Sequence, residues 1–496
     1  MILEYKNFIG GEWVDSVSGE RFENRNPAKW DEVIGTFPQS TKEDVDRAVE
    51  AAKEAFKEWC LVPAAKRGEL MRRVGDLMVE QKEELARLMT REMGKVLMET
   101  RGDVQEGIDT AYYAAGETRR LFAPAAPSEL RDKHAFTMRV PIGVAGLITP
   151  WNFPMAIPCW KALPAIASGN TVVFKPATDT PATAVRLVEI LEEAGVPPGV
   201  VNLVTGSGSA VGVPLVEHPD IRVISFTGSA EVGRDIAARA GQGLKKVSLE
   251  LGGKNAQLVL DDANLELALE GVLWGAFGTT GQRCTATSRL ILHEKIHDHL
   301  VELLVERAER IRIGDGLDES VEMGPVINEA QREKIHGYVE LGKREGATLL
   351  TGGEPATGGD LDKGWFYKPT IFVDVTQEMR IFREEIFGPV LAVIKVSSFE
   401  EGIEVLNDST YGLSSSIYTQ DVNKAFRAMR DFEAGIVYIN GPTIGAECHL
   451  PFGGVKDTGN GHREGGWTVY EIFTEWKTIY VDYSGRLQRA QIDTEY

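Results

Sequence analysis

The chain has 496 residues, is 43% hydrophobic and 26% charged, and carries a formal net charge of −20. That length allows two or three domains around a large core, and the composition is that of a globular protein. The acidic balance argues against a nucleic-acid surface and against docking on anionic lipid, while leaving room for a local basic pocket.

Met1 to Lys6 shows no basic start followed by an apolar core, so no signal peptide is read there. Residues 41–59 are predicted to form a helix, with Thr41 and Asp44 as caps and Val45, Ala48, Val49, Ala52 and Phe56 on one face. A longer helix is predicted over 64–93. Leu70, Val74, Leu77, Met78, Leu85 and Leu88 form its stripe, and Gly94 stops it. Core packing is the plain reading of both stripes. Residues 136–140 read as a strand. The most apolar stretch, 140–160, carries four prolines and Asn152, which suits no membrane helix.

From Ile142 the pattern alternates. Strands are predicted at 171–174, 200–204, 222–226 and 246–251, with helices at 181–194, 209–217 and 229–240 between them. Repeated β-α-β units imply an α/β fold with a parallel sheet covered by helices. Ligands in such sheets sit beyond the carboxyl ends of the strands, where Lys175, Gly208, Gly228, Ser229 and Glu250 fall. A second α/β region follows Gly252, with strands at 257–260, 288–292, 390–396, 414–418 and 435–439. Residues 352–364, rich in glycine and acid, read as a surface loop. Residues 474–481 alternate like a strand. Such a late strand needs a partner, which is sought on another subunit.

The four cysteines, at 60, 159, 284 and 448, give no disulfide framework and no zinc spacing. A reducing cytoplasm and no bound metal are expected. Thr205 to Gly212 reads GxGxxxG after a strand and opens a helix, one residue longer than the dinucleotide fingerprint. Phe226 to Gly233 repeats the arrangement one unit later. Two glycine turns at helix N-termini suggest a phosphate cradle, and tight strand-to-helix turns are the alternative.

Cys284 stands in Thr280-Gly281-Gln282-Arg283-Cys284, after a long apolar helix pattern. A thiol acts as a nucleophile when its pKa is lowered or a base is near. Asn152, between Pro150 and Pro154, can be held rigidly with its amide toward an oxyanion. Glu250, at a strand end before two glycines, can activate water. Each has a bland alternative: a core cysteine, a turn residue, a solvated charge.

Together these residues resemble the NAD(P)-dependent aldehyde dehydrogenase superfamily, over essentially the whole chain. The resemblance rests on motifs in family order: Pro150-Trp151-Asn152-Phe153-Pro154, Phe174-Lys175-Pro176, Phe226-Thr227-Gly228-Ser229, Leu249-Glu250-Leu251-Gly252-Gly253-Lys254, Gly281-Gln282-Arg283-Cys284, Glu385-Ile386-Phe387-Gly388-Pro389 and Pro451-Phe452-Gly453-Gly454. It implies a Rossmann-type cofactor domain over 1–122 and 141–250 and an α/β catalytic domain over 251–440. A small β oligomerisation element over 123–140 and 470–496 completes the fold, in a homodimer or homotetramer.

The implied mechanism starts with attack of Cys284 on the aldehyde, with Asn152 and the Cys284 N–H holding the oxyanion. Hydride transfer then leaves a thioester, which water activated by Glu250 hydrolyses. Lys175 completes the catalytic group and reaches the adenosine ribose. Ile148, Thr149, Pro150, Trp151, Thr178, Gly208, Gly212, Phe226, Thr227, Gly228 and Leu251 are expected around the dinucleotide. Ser229 matches the pyrophosphate contact, and Glu385 and Phe387 position the nicotinamide ribose and ring.

Thr178 stands where strongly NAD-preferring relatives often carry a glutamate. Its lack of charge removes repulsion against a 2′-phosphate, so NADP is expected to be accepted beside NAD. Phe153, Ile157, Trp160 and Phe452 are expected to line the substrate tunnel. Arg283 is either a structural salt bridge or a clamp for a substrate carboxylate. Residues 440–447 resemble the branch acting on α-ketoglutaric and α-aminoadipic semialdehydes. The alternatives are a broad dehydrogenase of neutral aldehydes, a CoA-acylating relative (disfavoured by Glu250), a non-catalytic protein on the same scaffold, and a cysteine hydrolase. The last lacks a histidine in any family motif.

Overall fold

The computed structural model describes residues 2–493. Two seven-stranded sheets form its centre. In the first, the spatial order is Lys246–Glu250, Ile221–Thr227, Val144–Ile148, Thr171–Lys175, Val201–Leu203, Asn7–Ile9 and Glu12–Val14. The first five are parallel, and the two N-terminal strands close one edge antiparallel. Val144–Ile148 and Thr171–Lys175 are buried along their whole length, as a sheet covered on both faces requires. The chain leaves Val144–Ile148 toward one flank and later returns to build the other. The crevice between Val144–Ile148 and Ile221–Thr227 is therefore the topological switch point.

The helix Lys42–Trp59 begins at the predicted capping box, with the Thr41 N–H donating to Asp44 Oδ2 at 2.9 Å. The helix predicted over 64–93 is two helices, Ala64–Glu80 and Lys82–Met93, broken at Gln81. The break lets both halves pack on the next helix, Leu97–Glu117, while turning the second half toward Pro181–Glu193. Arg186 holds the junction through Gln81 Oε1 at 2.9 Å. Gly94 ends the second half as predicted, at φ 89°. Leu97–Glu117 itself had no sequence prediction. Its buried face includes Glu99, Thr100, Asp103, Thr110 and Glu117, so polar residues mask its amphipathic stripe. The predicted helix 209–217 is a π-helical turn, Gly208–Gly212, running into Val213–Glu217.

The second sheet has the order Thr348–Thr351, Thr370–Val373, Val390–Val396, Thr287–His293, Asn255–Val259, Ser414–Tyr418 and Ile436–Ile439, parallel apart from its first strand. Four residues, Leu251 to Lys254, carry the chain from one sheet into the other. The carboxyl ends of the first sheet therefore face the amino ends of the second.

The strand Thr474–Asp482 pairs antiparallel with Lys133–Pro141, from Thr474 opposite Pro141 to Asp482 opposite Lys133, and Ala125–Pro127 completes this small sheet. The partner sought on another subunit thus lies in the same chain. The sheet falls within the segments expected to form an oligomerisation element, 123–140 and 470–496, and its last strand ends at Asp482; residues 494–496 of that expectation lie outside the described ones. Thr474–Asp482 stays at a sheet edge, with Trp476, Tyr480 and Val481 exposed. Among the described residues no helix is long and apolar enough to cross a membrane.

Candidate active site

A cavity of about 120 Å³ lies between the two sheets. Phe153, Ile157, Trp160 and Phe452, the expected tunnel walls, all line it, together with Glu250, Arg283 and Cys284. Trp160 and Phe452 meet edge to face with ring centroids 5.0 Å apart. The volume is below the roughly 300 Å³ at which drug-sized ligand clefts begin, so a short substrate fits it. A larger cleft, of about 690 Å³, lies beside Leu97 and Trp274 and contains none of the predicted site residues.

Cys284 is set by a strained loop. After the helix Leu265–Phe277, Thr279 and Thr280 both adopt left-handed backbone, at φ 53° and 57°. Two successive β-branched residues in that region persist when surrounding contacts over-determine them. Glu99 Oε1 accepts the Thr279 N–H at 2.7 Å, and the Thr280 hydroxyl donates to the Gly324 carbonyl at 2.9 Å. At Gly281 a Cβ would collide with the Gly388 carbonyl. Asn255 Nδ2 donates to the Cys284 carbonyl at 2.8 Å. Burial, then Glu385 and Glu250, push the Cys284 thiol up to about 12. Attack by sulfur therefore requires a change of charge in the cavity or a proton acceptor.

Asn152 is buried and donates one amide hydrogen to the Gln282 carbonyl at 3.0 Å. Among the described residues its second amide hydrogen has no acceptor. Glu250 ends the strand Lys246–Glu250. Both its carboxyl oxygens are buried, and neither has a hydrogen-bond partner among the described residues. Burial and the neighbouring Glu464 hold its pKa well above the usual range, against Lys161 and Arg463. Glu464 is itself paired with Lys161, which also donates to Ser225 at 2.9 Å. A Cβ at Gly453 would lie 2.5 Å from Glu250 Oε1, so glycine there leaves the carboxyl its room.

Arg283 makes the salt bridge of its structural reading and also stands in the cavity wall. Its Nη2 meets Glu99 at 3.1 Å, its Nε donates to Thr279 Oγ1 at 2.8 Å, and it lines the cavity. Its guanidinium also lies over the Phe153 and Trp274 rings, 5.4 and 5.1 Å from their centroids.

The expected cofactor residues gather at the switch point. Ile148 ends its strand, and Thr149 N–H donates to the Lys175 carbonyl at 3.2 Å. Pro150 and Trp151 follow, and the Trp151 ring meets Phe387 edge to face at 5.4 Å. Phe387 is held left-handed at φ 61°, with Gln331 donating to its carbonyl at 2.7 Å. Glu385 accepts the Gly253 N–H at 2.9 Å. Lys175 lies under the Gly208–Gly212 turn, where a Cβ at Gly212 would sit 3.6 Å from its Cδ. Burial lowers its amine to about 8, opposed by Asp179.

Phe226, Thr227 and Gly228 lead to Ser229, whose hydroxyl caps the helix Ala230–Gln242. Among the described residues Thr227 Oγ1 is buried without a partner, and Leu251 is pinned by its N–H to Thr458 O at 2.7 Å. A helix N-terminus at the switch point, an unpartnered hydroxyl and a clamped aromatic pair fit a dinucleotide. Thr178 instead lines a separate cleft, of about 450 Å³, with Asp179, Asn328 and Trp365.

Sequence reasoning missed Glu99, Glu106, Lys161 and Glu464. The i, i+4, i+7 spacing of Glu99, Asp103 and Glu106 was a visible signal for the first two, whereas no local pattern pairs Lys161 with Glu464.

The aldehyde dehydrogenase family model matches residues 13–479. An α-ketoglutaric semialdehyde dehydrogenase of Bacillus subtilis is 46% identical over 477 residues, covering 96% of this chain and 98% of the relative. An α-ketoglutarate semialdehyde dehydrogenase of Haloferax volcanii is 44% identical, with 96% and 99% covered. A crystal structure of betaine aldehyde dehydrogenase from Staphylococcus aureus in complex with NAD+ superposes with a TM-score of 0.95 at 37% identity, covering 98% of this chain and 96% of that one. Matches of this extent, over a chain that brings its Cys284 thiol and Glu250 carboxyl to one cavity, carry one conclusion: the chain belongs to the aldehyde dehydrogenase family and is an oxidoreductase acting on aldehydes.

Proposed function

We propose that the enzyme oxidises a short aldehyde bearing a carboxylate, with α-ketoglutaric semialdehyde as the substrate that fits best, to the corresponding acid. The observation that carries this reading is Arg283 in the wall of the Cys284 cavity. A guanidinium there offsets the charge of a substrate carboxylate and matches its geometry. The small cavity and the names of the two semialdehyde dehydrogenases above support the same reading.

Cys284 sulfur adds to the aldehyde carbon, and the oxygen takes the negative charge. The free amide hydrogen of Asn152 and the Cys284 N–H hold that oxygen. A bound NAD would supply a positively charged nicotinamide, which would favour the thiolate, and an acceptor for the hydride of the aldehyde carbon. Glu250 takes a proton from water, which attacks the resulting thioester. The C–S bond breaks, the thiolate leaves and the acid is released. Water, rather than CoA, as the acceptor is supported by a buried carboxyl that has no partner among the described residues and shares the cavity with the thiol.

Lys175, Ser229, Glu385 and Phe387 would hold the dinucleotide at its adenosine ribose, pyrophosphate, nicotinamide ribose and ring. The NAD+ complex of the Staphylococcus aureus relative supports NAD as the cofactor. Acceptance of NADP is supported by Lys175 and the uncharged Thr178, and opposed by Asp179 beside Lys175. Assembly into a homodimer or homotetramer is supported by the open edge of Thr474–Asp482.

The reading is tested by initial rates with α-ketoglutaric and succinic semialdehydes, acetaldehyde and benzaldehyde. A kcat/KM preference for the charged aldehydes that Arg283→Ala removes is the expected result. Equal turnover of neutral aldehydes would return Arg283 to its structural pairing with Glu99 and make the enzyme a generalist.

A further inference from the structure

The helix Leu97–Glu117 carries Glu99, Asp103 and Glu106 on one face. Two of the three have cations. Asp103 pairs with Lys95 at 2.9 Å, both side chains wholly buried, and its other oxygen accepts the Ala156 N–H at 2.7 Å. Glu99 pairs with Arg283 at 3.1 Å. Glu106 is the acid left over. Its main-chain oxygen accepts from Thr110, but among the described residues its carboxyl has neither a hydrogen bond nor an ion pair. It lines the same cavity as Arg283 and Cys284.

We infer that Glu106 is a specificity-determining residue which, as a neutral carboxylic acid, donates a hydrogen bond to an oxygen at the charged end of the substrate, beside Arg283. This inference rests on the carboxylate-bearing substrate proposed above. Buried Asp103 and Glu99 take the two cations, and the half-buried third acid beside them is better neutral than charged. A neutral carboxylic acid then offers one O–H donor and no repulsion toward a substrate carboxylate. An aldehyde with an alkyl end has nothing to accept that proton.

Burial, then Asp103, push Glu106 up to about 8, while Lys95 and Arg283 pull it down and Asp109 adds to the rise. The other groups that sense its charge are Cys159 on the helix Ala156–Ala167, Tyr438 on Ile436–Ile439, and Cys448. Burial pushes all three up, to about 12 for Tyr438 and about 11 for Cys448, so they stay neutral where Glu106 ionises. Cys284, Glu250 and Glu464 also border the cavity. A negative charge on Cys284 or Glu250 would also repel a substrate carboxylate; Glu106→Gln retains both groups, so a pH dependence that survives in that variant belongs to them.

The test is the ratio of kcat/KM for α-ketoglutaric semialdehyde to that for pentanal, measured across pH in the wild type, Glu106→Gln and Glu106→Ala. The wild-type ratio is expected to fall about tenfold between about pH 7 and about pH 9, as one carboxylic acid ionises. Glu106→Gln keeps a donor at every pH and should hold a high, pH-flat ratio. Glu106→Ala should be flat and low. A wild-type ratio that does not move with pH, or a Glu106→Gln ratio that falls as the wild type does, overturns the role of Glu106 while leaving the carboxylate preference intact. A wild-type ratio near one at every pH removes the carboxylate reading and this inference with it. Should Glu106→Gln not fold, the wild-type and Glu106→Ala profiles decide the matter.

Discussion

One oxygen of Glu99 accepts both the Thr279 N–H, at 2.7 Å, and the Arg283 guanidinium, at 3.1 Å. A single carboxylate on the Leu97–Glu117 helix thereby holds the strained backbone ahead of the nucleophile and the cation beside it. Glu99→Ala leaves Arg283 with a mostly buried, unpaired charge, and is expected to destabilise the fold by about 3 kcal/mol. Glu99→Gln keeps an acceptor for Thr279 and should lose roughly half as much. Denaturant unfolding of the two variants checks the order. Equal stability of Glu99→Ala and wild type would show that the loop is held by its other contacts.

Cys284→Ala is expected to lose dehydrogenase turnover entirely while keeping the wild-type melting temperature. The thiol packs in a loop held by Asn255, Gln282 and Thr280, none of which bonds to sulfur. Asn152→Ala should lower kcat by about a hundredfold or more, the usual effect of removing one oxyanion donor. Steady-state rates beside thermal melts separate chemistry from folding. Full activity in Cys284→Ala would sink the mechanism.

Glu250→Gln should release a burst of reduced cofactor and then turn over slowly. A carboxyl whose pKa is raised is protonated at low pH and becomes a base as pH rises. Wild-type turnover limited by thioester hydrolysis should therefore climb with pH, and the slow phase of Glu250→Gln should not. Stopped-flow traces across pH report both phases. Loss of the burst itself would mean that Glu250 also takes the proton of the thiol.

Asp179 bonds to Asn328 at 2.9 Å and opposes the lowering of the Lys175 amine by burial. A carboxylate there can repel a 2′-phosphate as uncharged Thr178 cannot. NAD is expected to be preferred over NADP by kcat/KM, and Asp179→Asn should narrow the gap by about fivefold through lost repulsion. Lys175→Ala should raise KM for NADP more than for NAD. An unchanged ratio in both variants would place the discrimination in other loops.

Much of the molecule was legible along the chain. Strand and helix alternation from Ile142 onward yields the parallel first sheet because each unit buries its own periodic face. Cys284, Asn152 and Glu250 could be proposed as site residues from their turn contexts together with the family-ordered motifs around them. The tertiary structure decided what local patterns do not encode. It breaks the 64–93 segment at Gln81, where one straight helix could not follow two packing partners. It pairs Thr474–Asp482 with Lys133–Pro141, more than three hundred residues away in sequence. It also sorts the buried charges. Among the described residues Glu99 and Asp103 find cations and Glu106 does not, while Lys161 takes Glu464 and leaves Glu250 without a partner. Composition and periodicity set which surfaces are buried. The protonation of the groups inside depends on distances between residues far apart in the chain, and folding alone sets those distances.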